Sequence, residues 1–195
     1  MNNFKFDSQK HHRRSIRLRD YDYASEGAYF VTIVTQGREC MFGEIVDGKM
    51  YLSNYGEIIQ KWWDDIPIHF PNVETGAFVI MPNHIHGIIF IIDECRGEVI
   101  SPPDNQKSNN TGGETPPLHK PTLGQIVGYF KYQSTKDMNA IGNTGAITKF
   151  WQRNYYEHII RNEKDLKQKT DYILDNPSRW EEDEENPGNK NSPRA

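Results

Sequence analysis

The segment Met81-Pro82-Asn83-His84-Ile85-His86-Gly87 places two histidines one residue apart, just ahead of the apolar run Ile88 to Ile92. The run reads as a buried β-strand. Alternate side chains of a strand share a face, so His84 and His86 point the same way. Neutral imidazole is the commonest protein ligand for a metal. Two of them on one face make half of a divalent-metal site. The plainer alternative is one histidine at the surface and one packed in the core.

The rest of such a site has to come from elsewhere in the chain. Asn162 to Pro177 reads as a helix. Asn162 has the character of an N-cap, with the acids Glu163 and Asp165 in the first turn. Leu166, Lys169, Tyr172 or Ile173, and Asn176 follow at helical spacing, and Pro177 stops the helix. Tyr172 and Asn176 stand four apart and share one helix face. A phenol and an amide oxygen presented together could serve the two histidines opposite. The alternative is a tyrosine packed on the sheet and an asparagine capping the helix.

Taken in order, these segments resemble a known family. Pro82-Asn83-His84-Ile85-His86-Gly87 is similar to the HUH signature of histidine, bulky apolar residue, histidine. Phe150 to Asn162, with Trp151, Tyr155-Tyr156-Glu157-His158, and then Tyr172-Ile173 and Asn176-Pro177, resembles the REP-associated tyrosine transposases. These are relatives of the single-tyrosine HUH transposases of bacterial insertion sequences. The resemblance runs from about Arg14 to Trp180, with a gap in a polar insert. It implies that a tyrosine oxygen attacks a phosphodiester of single-stranded DNA, leaving a 5′-phosphotyrosine and a free 3′-hydroxyl. The matching nucleophile is Tyr172, and the matching metal ligands are His84, His86 and Asn176. The DNA it implies is single-stranded and hairpin-forming, at repeat or element ends, and the protein either a homodimer or a monomer.

The physical demands of that chemistry agree with the residue types. A free phenol has a pKa of about 10, so little phenolate exists at neutral pH. A divalent cation beside the phosphate stabilises charge in the transition state. Two imidazoles and an amide oxygen suit Mg²⁺ or Mn²⁺ better than a closed structural zinc site, which favours thiolates. Glu157 and His158 are candidates for supporting groups around the site. Tyr129, Tyr132, Tyr155 and Tyr156 read as packing or base-stacking residues. His11, His12, His69 and His119 carry no spacing signal and read as surface residues.

The elements that must position these residues form an α+β pattern. Tyr29 to Gln36 reads as a central strand. Met41 to Val46 and Lys49 to Leu52 flank Asp47-Gly48, a two-residue hairpin signal. Ser53-Asn54 opens a helix through about Ile66. Ala77 to Met81 and His84 to Ile92 are strands. Thr122-x-x-Gln125 has the form of a capping box opening another helix. The order suits a ferredoxin-like or RRM-like antiparallel sheet with helices packed on it, the architecture of HUH endonucleases.

With 195 residues and 35% hydrophobic content, the chain supports one core. Residues 21–180 read as a single HUH transposase domain, with a flexible insert at about 94–120. The formal net charge of -4 looks wrong for a DNA-binding protein, but it is unevenly spread. Residues 1–20 form a basic arm whose Arg13, Arg14, Arg17 and Arg19 are candidate phosphate contacts. Residues 181–195 carry Glu181-Glu182-Asp183-Glu184-Glu185 and read as a disordered acidic tail. Cys40 and Cys95 have no metal spacing and no disulfide framework. No secretory signal is visible and no apolar run is long enough to span a bilayer, which leaves the cytoplasm as the expected location.

Two other readings stay open. One is a metal-dependent hydrolytic nuclease that uses activated water. The other is a non-catalytic RRM-like nucleic-acid-binding module, whose aromatics would stack bases.

Overall fold

The computed structural model of the chain describes residues 21–92, 120–142 and 148–189. Strand β1 (Gly27–Val34) leads to a hairpin of β2 (Gly43–Val46) and β3 (Lys49–Leu52). Helices α1 (Asn54–Asp64) and α2 (Ile66–His69) follow, then strands β4 (Val73–Ile80) and β5 (His84–Ile91). Helix α3 (Leu123–Gly142), strand β6 (Tyr156–Ile160) and helix α4 (Glu163–Asp175) complete the order, and α4 runs on into 3-10 turns over Asn176–Glu182.

The main sheet has the order β4-β5-β1-β6, with every neighbouring pair antiparallel. This is the ferredoxin-like arrangement, with the β2–β3 hairpin standing outside as a separate two-stranded sheet. The histidine strand β5 is therefore interior, paired to β1 from Gly27↔Ile91 through Val34↔His84.

Local signals explain the boundaries. Asp47 and Gly48 both take positive φ (51° and 71°), as a primed two-residue turn requires. The Ser53 side chain caps α1 by accepting from the Gly56 N–H, and Asn162 caps α4 by accepting from the Asp165 N–H at 2.9 Å. The Thr122–Gln125 box closes in both directions, at 2.8 and 3.2 Å. Strand β4 begins at Val73, four residues ahead of expectation, because an irregularity between Thr75 and Phe78 breaks the alternation there.

Alternation along β5 divides its two faces between two layers. Ile85, Ile89 and Ile91 join Tyr29, Val31 and Ile33 in the larger core, against Ile59 and Trp63 of α1 and Ile126, Val127 and Phe130 of α3. The opposite face carries a smaller cluster of Phe30, Ile88, Ile160 and Ile173, which seats α4 with help from Leu166. His84 and His86 belong to this second face, so the tyrosine helix lies across the sheet directly over the histidines.

Gly87 serves the first face. A Cβ there would clash with the edge of the Trp63 ring, which lies flat against Phe78 with centroids 4.3 Å apart and planes at 9°. Gly87→Ala is expected to destabilise the fold by about 1–3 kcal/mol through overpacking. Urea unfolding checks this, and an unchanged midpoint would contradict it.

The acidic run departs from expectation. Pro177 ends the α-helix, but the chain does not dissolve into a tail. The 3-10 turns carry it back over the histidine end of β5, and the Asp183 side chain is only 5% exposed. Asn83 Nδ2 donates to the Glu185 carbonyl at 2.7 Å, Arg38 Nη1 donates to the Glu184 carbonyl at 3.3 Å, and Arg38 Nε pairs with the Glu185 carboxylate at 3.1 Å. Composition could not reveal these partners, because they come from distant loops. Arg13, Arg14, Arg17 and Arg19 of the basic arm, residues 93–119 of the insert and residues 190–195 lie outside the described residues. Among the described residues, no helix is long and apolar enough to cross a membrane.

Candidate metal and tyrosine site

Asn83, just before β5, sets the first histidine. Its Nδ2 donates to the Arg38 and Glu185 carbonyls, which fixes the amide and leaves Oδ1 to accept from His84 Nδ1 at 2.8 Å. His84 therefore presents a lone pair on Nε2. The second histidine is set from β1: Thr32 lies opposite His86 in the ladder, and its hydroxyl meets His86 Nδ1 at 2.8 Å. The two Nε2 atoms converge to 2.9 Å. Two nitrogens each about 2.1 Å from one cation, at a right angle, would stand about 3.0 Å apart. Asn83 and Thr32 occupy the outer positions that orient ligating histidines in metal sites.

Both rings are buried, at 0% and 3% exposure. Burial holds the His84 pKa well below its ordinary value, with the neighbouring His86 and Arg38 adding to the effect. Burial likewise lowers His86 to about 3, with Lys169 contributing. Both rings are neutral at pH 7, the state that ligates. The unfolded chain would bind protons at these histidines near pH 6.5 while the folded one does not. Their stabilisation is therefore full above about pH 6.5 and is lost progressively as pH falls below it. A urea midpoint that drops between pH 7.5 and 5.5 is expected, and one that holds level would contradict buried neutral rings.

Helix α4 brings Tyr172 over the pair. Its hydroxyl is 3.4 Å from His86 Nε2, and its ring meets His86 and Phe30 edge-on at 5.1 and 5.9 Å. Tyr172 is 43% exposed, so the oxygen remains reachable. Burial raises its pKa, and the carboxylate of Asp183 adds to this, with Asn176 working the other way. Asn176 is 4% exposed, and its Oδ1 is a buried acceptor with no hydrogen-bond partner. Such an atom is what a cation would satisfy. Asn176 is also the C-cap of α4, so the capping and ligand readings coincide in one residue.

Asp183 completes a set that sequence reasoning missed. Its Oδ2 lies 3.8 Å from His84 Nε2, and ligand atoms of His84, His86 and Asp183 all fall within 4.8 Å of one another. Burial raises its pKa. The one hint in the sequence was Trp180, an apolar residue in a polar stretch, whose ring lies 6.1 Å from that of His84.

Other candidates are redistributed. Glu157 pairs with Val31 in the β1–β6 ladder and so faces the opposite side of the sheet from the histidines, which removes it as a supporting group there. His158 shares the site face, but its ring is engaged with the Asp165 carboxylate at 2.9 Å. Tyr156 borders the same cleft as Tyr172, whereas Tyr129 stacks on His69, which is exposed, as its lack of a spacing signal predicts. The cleft beside Tyr172 measures about 360 Å³ and is lined by Thr32, His86, Tyr156, Lys169 and Asp183 to Glu185. A smaller adjoining recess of about 160 Å³ includes Asn176 and Arg179.

No family model matches the chain. An uncharacterised protein of Haemophilus influenzae is 43% identical over 180 residues, which cover 92% of this chain and 96% of that protein. A second Haemophilus influenzae protein, described as "Putative REP-associated tyrosine transposase", is 28% identical over 163 residues, 80% of this chain and 73% of its own length. Among solved structures, a REP-associated tyrosine transposase bound to a REP hairpin superposes with a TM-score of 0.52 at 20% identity, covering 84% of this chain and 73% of the other. The chain belongs to one family with the uncharacterised protein and is a relative of the REP-associated tyrosine transposases, whose fold it shares.

Proposed function

We propose that the chain is a DNA transposase that cuts and rejoins single-stranded DNA through a phosphotyrosine at Tyr172. The observation that carries this reading is the convergence of the Tyr172 hydroxyl and the two Nε2 atoms of His84 and His86 on one covered face of the sheet. The relationship to REP-associated tyrosine transposases supports the transposase role, and the hairpin bound to the structural neighbour supports hairpin-forming DNA as the substrate class.

The donors fit a hard divalent cation, Mg²⁺ or Mn²⁺: His84, His86, the unpartnered Oδ1 of Asn176 and the Asp183 carboxylate would hold it. When bound, such an ion supplies positive charge beside the phosphate and polarises it. The chain's own residues do the rest. Helix α4 and the Phe30 and His86 rings hold the phenol at the mouth of the cleft. The Tyr172 oxygen attacks phosphorus and gives its proton to solvent water, and the P–O3′ bond breaks as the 3′-oxygen takes a proton from solvent water. The 5′-phosphate stays on Tyr172 until another 3′-hydroxyl reverses the step. No ATP is consumed, because the phosphotyrosine conserves the bond.

A non-catalytic RRM-like role has no support in the described residues. That mode needs an open sheet face for bases, and here α1 and α3 cover one face and α4 lies over the other. The test is covalent capture: incubation with a hairpin-bearing single strand and Mn²⁺ should give a protein–DNA adduct that survives denaturant. Metal-dependent cutting without any adduct would favour a hydrolytic nuclease instead.

A further inference from the structure

We propose that Lys169 is a second cation of the reaction centre, contacting the non-bridging oxygens of the scissile phosphate from the Phe30 side of the cleft; this rests on the phosphotyrosine reading above. Lys169 precedes Tyr172 by three residues and so shares its face of α4. Its Nζ stands 5.0 Å from the Phe30 ring centroid. The same ring stacks on His86 at 5.4 Å and meets Tyr172 at 5.9 Å. One aromatic shelf thus carries the ammonium, a candidate ligand and the candidate nucleophile.

The surroundings leave this charge available. The Asp165 carboxylate, one helical turn earlier, is hydrogen-bonded to His158 at 2.9 Å; that bond, and more weakly the Lys169 charge, lower its pKa, but it forms no salt bridge with Lys169. Asp183, Glu184 and Glu185 also line the cleft, and among the described residues Lys169 forms no salt bridge. Lys169 is also the only Lys or Arg among the described residues that line the cleft beside Tyr172. A lysine held over an aromatic face, rather than in a salt bridge, exchanges that contact readily for a phosphate.

The chemistry asks for such a group. As the Tyr172 O–P bond forms and the P–O3′ bond breaks, negative charge grows on the non-bridging oxygens. A fixed ammonium beside them gains more in the transition state than in the ground state. Lys169 keeps its proton throughout and donates only hydrogen bonds. The leaving 3′-oxygen takes its proton from solvent water.

The experiment compares single-turnover adduct formation by wild type, Lys169→Gln, Lys169→Arg and Lys167→Gln at saturating hairpin DNA with Mn²⁺, over a range of salt. Lys167 is the control, exposed and paired with Asp171 at 2.9 Å. Lys169→Gln should slow the step about 100-fold. Lys169→Arg should recover most of the loss, and Lys167→Gln should stay within about twofold of wild type. The log–log salt slope for binding should flatten by about 0.7 in Lys169→Gln, as one lost phosphate contact on a single strand predicts. Equal rates for Lys169→Gln and wild type would overturn the proposal and leave the phosphotyrosine reading standing. Loss of rate with a lowered melting temperature and no rescue by arginine would overturn it in favour of a structural role. A wild-type chain that forms no adduct removes the reading and the proposal together.

Discussion

Tyr172→Phe is expected to abolish the covalent adduct and strand cleavage together, by several orders of magnitude, with the fold and DNA affinity nearly unchanged. Phenylalanine keeps the ring that packs edge-on against Phe30 and His86. Only the oxygen is deleted. The hydroxyl contact to His86 is long, at 3.4 Å, and the residue is 43% exposed. The stability cost should therefore not exceed about 1 kcal/mol. The kinetic cost is of a different order, because a missing nucleophile is not replaced by its neighbours. Tyr156 borders the same cleft, which makes residual adduct in Tyr172→Phe informative: it would shift the nucleophile to that residue.

Replacement of either histidine should have the second largest effect. His84→Ala and His86→Ala are expected to eliminate cleavage while leaving much of the single-strand affinity, since affinity comes mainly from phosphate and base contacts. Each also strands a buried partner, Asn83 Oδ1 or Thr32 Oγ1, which costs about 1–3 kcal/mol. Stability alone therefore does not separate a ligand from a packed histidine. The distinguishing readout is the response to Mn²⁺. A cation that binds only the folded state raises the wild-type melting temperature as its concentration rises. In His84→Ala and His86→Ala that rise should disappear. A full Mn²⁺ response in both variants would contradict the metal centre, whatever happened to cleavage.

The parts of the site that were legible in the sequence are those with short-range periodicity. A period of two put His84 and His86 on one face, a spacing of four put Tyr172 and Asn176 on one turn, and the caps at Ser53, Thr122 and Asn162 marked three helix starts. Asp47-Gly48 gave the hairpin. What stayed hidden depends on pairing between distant segments. Thr32 meets His86 only because β1 lies beside β5 in a particular register. Glu157 faces away for the same reason, through its register with Val31. Asp183 looked like solvated acid in a tail, and becomes a candidate ligand only when Arg38 and Asn83 hold the following residues. Charge composition describes a segment in isolation, whereas its burial is decided by partners elsewhere.

The most direct measurement of the central claim is peptide mapping of the DNA adduct trapped on the wild-type chain with a hairpin-bearing single strand and Mn²⁺. The account predicts a 5′-phosphate ester on the tyrosine of the Asp171-Tyr172-Ile173 peptide, absent when EDTA is present. An ester on Tyr156, Tyr155, Tyr129 or Tyr132, or metal-dependent cleavage that leaves no DNA on the protein, would contradict it.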